Sequence, residues 1–294
     1  MAEQTIDTPA TDVGTAEDPS ILRLALRNKS VFWGGLLLTV FVAIAVLGPL
    51  AVMDPFDLNP MNRLKPPGDA GLFGTDQLGR DLFSRVINGA RISLIVGVAV
   101  AAIAIAIGLV LGLVAGYVRM ADAIIMRFMD GLMSIPAILL AIAMISLSGA
   151  TLTTVVIAIV IPEIPRVVRL VRSVVLTVRE EPYVEAAISV GTRTIQIMMR
   201  HVLPNTIAPL IVQATYICGS AMLTEAILGF LGAGIPPEIP SWGNIMSEGR
   251  TFFQLTPWVI FFPGVALGLT VLAVNIVGDG LRDTLDPRIA RNMR

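Results

Sequence analysis

Six apolar stretches recur along the chain, at about 32–53, 92–118, 123–147, 152–165, 207–231 and 258–278, and no other feature narrows the possible folds as much. A helix needs roughly 20 apolar residues to cross the hydrocarbon core of a bilayer. With no water in that core to satisfy backbone groups, a spanning segment must be a helix or part of a closed barrel. The composition agrees: 55% hydrophobic residues and a mean hydropathy of +0.79 leave too little polar residue to cover a water-soluble protein of 294 residues. The expected fold is an all-α membrane protein with about six transmembrane helices. The fourth stretch is short, so its helix must continue through Pro162, Glu163 and Pro165 toward Arg166, with a kink or break there.

The flanks set the expected orientation. Residues 1–19 carry Thr, Asp, Glu and Pro without apolar periodicity and read as a disordered tail rather than a signal peptide, since the first basic residue is Arg23. Residues 20–30 read as an amphipathic segment on the membrane surface, and 289–294 as a second tail around the single domain at 31–288. With the N-terminus inside, only Arg63, Lys65, Arg80, Arg85, Arg91 and Arg250 of the 21 basic residues fall in outer segments. The excess of positive charge then lies in the cytoplasm, as do both termini.

Several chemistries are excluded by residue type. The two lysines, Lys29 and Lys65, follow Asn28 and Leu64, so no Gly-Lys-Ser/Thr phosphate loop exists to bind ATP. One histidine, His201, and one cysteine, Cys218, leave no intrachain disulfide, no usual His/Cys zinc site and no convincing nucleophile-base pair. No catalytic residue, metal or resident cofactor is expected, and no nucleic-acid partner. Cys218 reads as an inert thiol within a helix.

The loops and spans carry further signals. The first outer loop, 54–90, is too long for a turn and reads as a solvated loop ending in a surface helix from Asp81 to Ala90. The second, 232–257, holds too many prolines and glycines for a long helix, and places Trp242 and Trp258 at the membrane interface. Gly108, Gly112 and Gly116 form a small-residue ridge at every fourth position of span two, a helix-packing face that Gly264 and Gly268 repeat more weakly in the last span. Charged and polar groups inside a bilayer demand a reason. Asp130 is expected to pair with Arg127, and Glu163 to balance Arg166. Glu225, Gln213 and Asp130 are the candidates for lining a translocation path, with helix packing as the other reading of Glu225. Arg166, Arg169 and Arg172 have the spacing of a voltage sensor. They fall at the expected cytoplasmic end of the span, however, and no carbonyl filter sequence accompanies them.

The cytoplasmic loop 173–205 is the longest charged, amphipathic segment between spans. Pro182 suits a first helical turn, Glu180 and Glu181 suit its dipole, and Val184, Ala187 and Ile188 share a face. Glu185-Ala186-Ala187, then Gly191, then Leu203-Pro204 resembles the cytoplasmic loop motif of membrane subunits of ATP-driven (ABC) importers. Residues 73–94, FGTDQLGRDLFSRVINGARISL, together with PSWGNIMSEGR and GDGLRDTLDPR, resemble one permease subunit of the dipeptide, oligopeptide and nickel importers. His201 departs from the family pattern by occupying an Ile position, which weighs against an apolar packing role there, and is expected to cap or hydrogen-bond rather than titrate.

That resemblance implies a type I ABC importer permease fold, with Glu185, Ala186, Ala187, Gly191, Leu203 and Pro204 as the ATPase-coupling residues. It implies as partners a second, homologous permease subunit in a heterodimer, two ATPase subunits that carry ATP and Mg, and an extracytoplasmic substrate-binding protein that meets the first outer loop. The chain would form half of a path for di- or oligopeptides across a bacterial inner membrane, among membrane lipid. The alternatives are an ABC importer of nickel, glutathione or an opine, and an ion-coupled secondary transporter using Glu225 or Asp130.

Overall fold

The computed structural model describes residues 28–285; the expected tails at 1–19 and 289–294 and most of the amphipathic segment lie outside them. The described residues form an all-helical bundle: α1 (Lys29–Ala51), α2 (Leu82–Tyr117), α3 (Arg119–Met133), α4 (Ala137–Ser148), α5 (Leu152–Arg179), α6 (Pro182–Ser189), α7 (Thr194–Ile197), α8 (Leu203–Phe230), α9 (Trp242–Gly249) and α10 (Trp258–Leu285). Four helical runs are each long and apolar enough to cross a membrane: α1, α2, the continuous run from Thr194 through α8, and α10. The pair α3 and α4 qualifies as a fifth when taken together.

The glycine ridge of α2 fixes the centre of the bundle. A Cβ added at Gly112 would stand 2.6 Å from Val171 Cβ, one at Gly116 would stand 2.6 Å from Val175 Cβ, and one at Gly108 would overlap Val167. The partners advance together, 108 to 167, 112 to 171 and 116 to 175, so α2 and α5 are parallel and in register. Lipid offers apolar side chains as good an environment as protein does, so close backbone approach and dispersion hold such helices together. The helix α5 runs through Pro162 and Pro165 without the break that was one of the two expected outcomes there, a kink being the other. Gly264 and Gly268 form no such ridge: the nearest atom to a Cβ at Gly264 is Met246 Sδ at 3.7 Å, and Gly268 faces open space. The close approaches of α10 are at Gly278, against Thr215, and Gly280, against Val31.

Because α2 and α5 run the same way, the chain between them must return the full height of the bundle. The third apolar stretch does so as two helices bent by 86° at Ser134-Ile135-Pro136. Proline disfavours helical backbone at Ile135, and the Ser134 hydroxyl donates to the Gly131 carbonyl at 2.7 Å. Four runs, or five with the bent pair, are thus long and apolar enough to cross a membrane against the six expected; α5, with Glu163 and its arginines, is not among them, and α1 and α10 meet at Asn28 and Gly280. The two described ends therefore lie at the same end of the bundle.

The segment expected as a surface helix before span two is instead its first turns. Asp81 caps α2, accepting from the Ser84 N–H at 2.8 Å, and Leu82, Arg85, Val86 and Ala90 are buried. Trp242 likewise lies in the core rather than at an interface, with its Nε1 donating to the Val86 carbonyl at 2.9 Å.

Candidate functional site

The segment between α5 and α8 is built as a seated projection. Val184 of α6, Ile197 of α7 and Val202 are buried in one cluster with Val171, Val175 and Val178 of α5. Around these anchors the outward side is unusually apolar for a loop: Tyr183, Ile188, Val190, Ile195 and Met199 are all exposed, Val190 by 81%. Glu185 and Ala186 point outward with them, while Ala187 is half-buried against the core.

Gly191 ends α6 for a backbone reason. Its φ is +80°, the Thr192 N–H donates to the Ala187 carbonyl at 3.0 Å, and the Gly191 N–H donates to the Ile188 carbonyl at 2.9 Å. These two bonds define a Schellman motif, in which the residue after the cap adopts left-handed geometry that glycine accepts without strain. Beyond its two chain neighbours, no atom of the described residues lies within 4 Å of a Cβ built there, so the glycine also leaves a flat, open surface.

At the other side, Met198–Val202 widens to a π turn, with the Leu203 N–H donating to the Met198 carbonyl. Pro204 follows one residue into α8; its ring would collide with the carbonyl four residues back in an ordinary α-helix, and widening relieves this. Pro204 therefore does not begin the helix, which runs from Thr194 to Phe230. Leu203 packs against the core and Pro204 is exposed. His201 packs its ring 5.7 Å from that of Tyr183, and its carbonyl accepts from Asn205 Nδ2 at 2.6 Å. The histidine thus does supply a packing surface.

The three candidate path residues are not brought together. Glu225 is wholly buried, accepting from the Ser93 hydroxyl at 3.3 Å, and its Oε1 has no partner among the described residues. Gln213, half-buried, lies twelve residues earlier on α8, about 18 Å along the axis. Asp130 is exposed on α3 and pairs with Arg169 of α5 at 2.6 Å, not with Arg127. The expected Glu163–Arg166 pair forms at 3.3 Å. Arg172 completes the series by pairing with Asp122, and Arg179 donates to the carbonyls of Gly116 and Tyr117. Arg169 and Arg172 thus find partners on α3, whereas Arg166 pairs within its own helix. Arg166 is the fifteenth of the 28 residues of α5, near the middle of that helix.

Two groupings escaped the sequence reading. Glu163 and Arg166 meet Tyr216 and Ser220 of α8: the Arg166 guanidinium lies 6.0 Å from the Tyr216 ring centre, and the Ser220 hydroxyl is 3.5 Å from Glu163 Oε1. An i, i+4 spacing of Tyr216 and Ser220 is the only trace of this in the sequence. The second grouping lies at the opposite end of the bundle from α6. Arg80 and Arg85 share Asp76 and Glu248, at 2.6 and 2.7 Å to Asp76 Oδ2 and 2.5 Å each to Glu248 Oε2. This network bolts the first long loop to α9.

The family described as "Binding-protein-dependent transport system inner membrane component" matches residues 104–291. The chain is 53% identical over 272 residues to a probable peptide ABC transporter permease protein, y4tQ, of Sinorhizobium fredii, covering 92% of this chain and 94% of that protein. It is 42% identical over 285 residues to the dipeptide transport system permease protein DppC of Alkalihalophilus pseudofirmus, covering 96% of this chain and 94% of that protein. The fold is similar to that of a chain in an inward-facing structure of the MetNI methionine ABC transporter. The TM-score is 0.55 at 19% identity, over 71% of this chain and 96% of the other.

Proposed function

Since the chain belongs to the family of binding-protein-dependent transport system inner membrane components, and is a permease subunit of an ABC importer, we propose that it forms half of a translocation path for di- or oligopeptides and is moved by separate ATPase subunits docked on α6. Subunits of this family are generally non-catalytic. ATP and Mg belong to two partner ATPases. A homologous second permease subunit completes the path, and an extracytoplasmic binding protein delivers cargo to the end carrying the Asp76–Glu248 network. The excess of basic residues orients α6 and both termini toward the cytoplasm.

One observation carries the mechanism: α6 is anchored inward by Val184 while its outward side is apolar, low in relief and without a partner among the described residues. Glu185 and Ala186 present that surface, Ala187 seats it, and Gly191 turns the chain away. Pressure on α6 reaches α5 through the valine cluster, and reaches α8 through the unbroken helical run that Leu203 and Pro204 begin to straighten. Closure of the ATPases would move both spans together, the rigid-body type of switching. Lining of the path by Gln213, with Glu225 and Asp130 nearer helix joints, is part of the same proposal.

The test is reconstitution of the complete importer. Peptide uptake is expected only with ATP and the binding protein present, and mass spectrometry of the ligand retained by that protein should return a peptide. Ala186→Trp should leave membrane insertion intact while the ATPase subunits no longer co-purify. Normal co-purification, or peptide accumulation by this chain alone on a proton gradient, would count against the reading.

A further inference from the structure

We infer that Arg166, flanked by Tyr216 and Ser220, is a contact point inside the membrane for the carboxylate terminus of the peptide in transit; this rests on the peptide reading above. Arg166 and Tyr216 stand near the midpoints of two 28-residue helices, α5 and α8, roughly 20 Å from either end. At that depth the Arg166 side chain is 46% exposed and Tyr216 is 52% exposed. A guanidinium turned to lipid at mid-bilayer is costly, so this face looks onto water or another protein.

The three arginines of α5 are not equivalent. Arg169 and Arg172 are tightly held, Arg169 at 2.6 Å by Asp130 and Arg172 by both oxygens of Asp122. Arg166 meets Glu163 through Nη1 alone, at 3.3 Å to each oxygen, longer than the 2.7–2.9 Å usual for a charged pair. Its Nε and Nη2 have no hydrogen-bond partner among the described residues. Glu163 is buried behind it, with the Ser220 hydroxyl at 3.5 Å, so the acid steers the guanidinium without saturating it. The free edge is a planar fork that matches a carboxylate, and the Tyr216 ring lies beside the guanidinium, 6.0 Å from its centre. Leu223 and Ile227, exposed one and two turns beyond Ser220 on this face of α8, supply apolar wall for side chains.

The assembled importer in proteoliposomes distinguishes the outcomes, with trialanine and trialanine amide as probes. Arg166→Gln should lower trialanine uptake per ATP hydrolysed roughly tenfold, the effect of losing a charged hydrogen bond. It should leave the amide near the wild-type value, and Arg166→Lys should restore part of the loss. In a Cys218→Ser background, Tyr216→Cys should react with a water-soluble thiol reagent and be protected by trialanine. Adding Arg166→Gln should abolish that protection. Equal loss for acid and amide with failed assembly would assign Arg166 to the second permease subunit and overturn the inference, as would a Cys at 216 that never reacts. Wild type taking up the acid with Arg166→Gln unchanged sinks this inference alone. ATP-active wild type taking up neither peptide sinks the peptide reading with it.

Discussion

Arg85 and Glu248, 163 positions apart in sequence, are joined by two hydrogen bonds, Nη1 to Oε2 at 2.5 Å and Nη2 to Oε1 at 3.0 Å. Arg85 is 1% exposed and also meets Asp76 at 2.7 Å, so the first turn of α2, the long loop before it and α9 move as one piece. Two acids balance two arginines, which is what permits burial so near the bundle end. Removing one member leaves an unpaired buried charge. Glu248→Ala should therefore destabilise the chain by roughly 3–5 kcal/mol, read as a lower melting temperature in detergent. A double replacement of Arg85 and Glu248 by Met should cost less than the sum of the singles. A melting point for Glu248→Ala equal to wild type would refute the network's role.

The α2–α5 contact predicts steric coupling between specific positions. Gly112→Val places side-chain atoms where Val171 already stands, an overpacking cost of about 1–3 kcal/mol. Val171→Ala should recover part of the loss, whereas Val175→Ala, one turn away, should not. Thermal unfolding of Gly112→Val alone and combined with each alanine replacement checks this, and absence of selective rescue would show that the two helices adjust by sliding.

Gly191 separates backbone strain from contact. At φ +80° an alanine costs about 1–2 kcal/mol locally, with no clash because the surroundings are open. Asparagine tolerates this geometry better than valine. Gly191→Asn should keep the Thr192 N–H protected from hydrogen exchange and Gly191→Val should lose that protection, with membrane insertion unaffected in both. Equal exchange in the two variants would contradict the Schellman assignment.

The two α3–α5 ion pairs should differ in weight. Asp122–Arg172 is bidentate and partly enclosed, while Asp130–Arg169 is a single contact between more exposed groups. Surface pairs contribute about 0–1 kcal/mol, so Asp130→Asn should leave the melting temperature nearly unchanged and Asp122→Asn should lower it measurably. A larger effect from Asp130→Asn would reverse the ranking.

Much of the architecture was legible because apolar length is a local property. The helices of the bundle, the α2 glycine ridge and the loop motif from Glu185 to Pro204 can all be read from neighbouring residues. Gly191 is visible in the sequence as a glycine that permits a close approach or a bend; that it ends α6 through a positive φ needed the hydrogen-bond pattern of the turn. Asp130 was paired with the arginine nearest in sequence because helical spacing is all that a sequence displays. Its actual partner stands on another helix.

The sequence alone determined that this chain lives in a bilayer as helices and has no Gly-Lys-Ser/Thr phosphate loop, and it carries the resemblance on which Glu185 to Pro204 is proposed as a coupling segment. Tertiary structure decided what crosses between helices: the in-register seating of Gly108, Gly112 and Gly116 on α5, the return of the chain through a bent pair, and the burial of Trp242. It also decided the meeting of Arg166 with Tyr216. The physical reason is that the bilayer selects for apolar length along the chain, whereas close packing and charge pairing depend on distances between residues far apart in sequence, which become defined only when the helices dock.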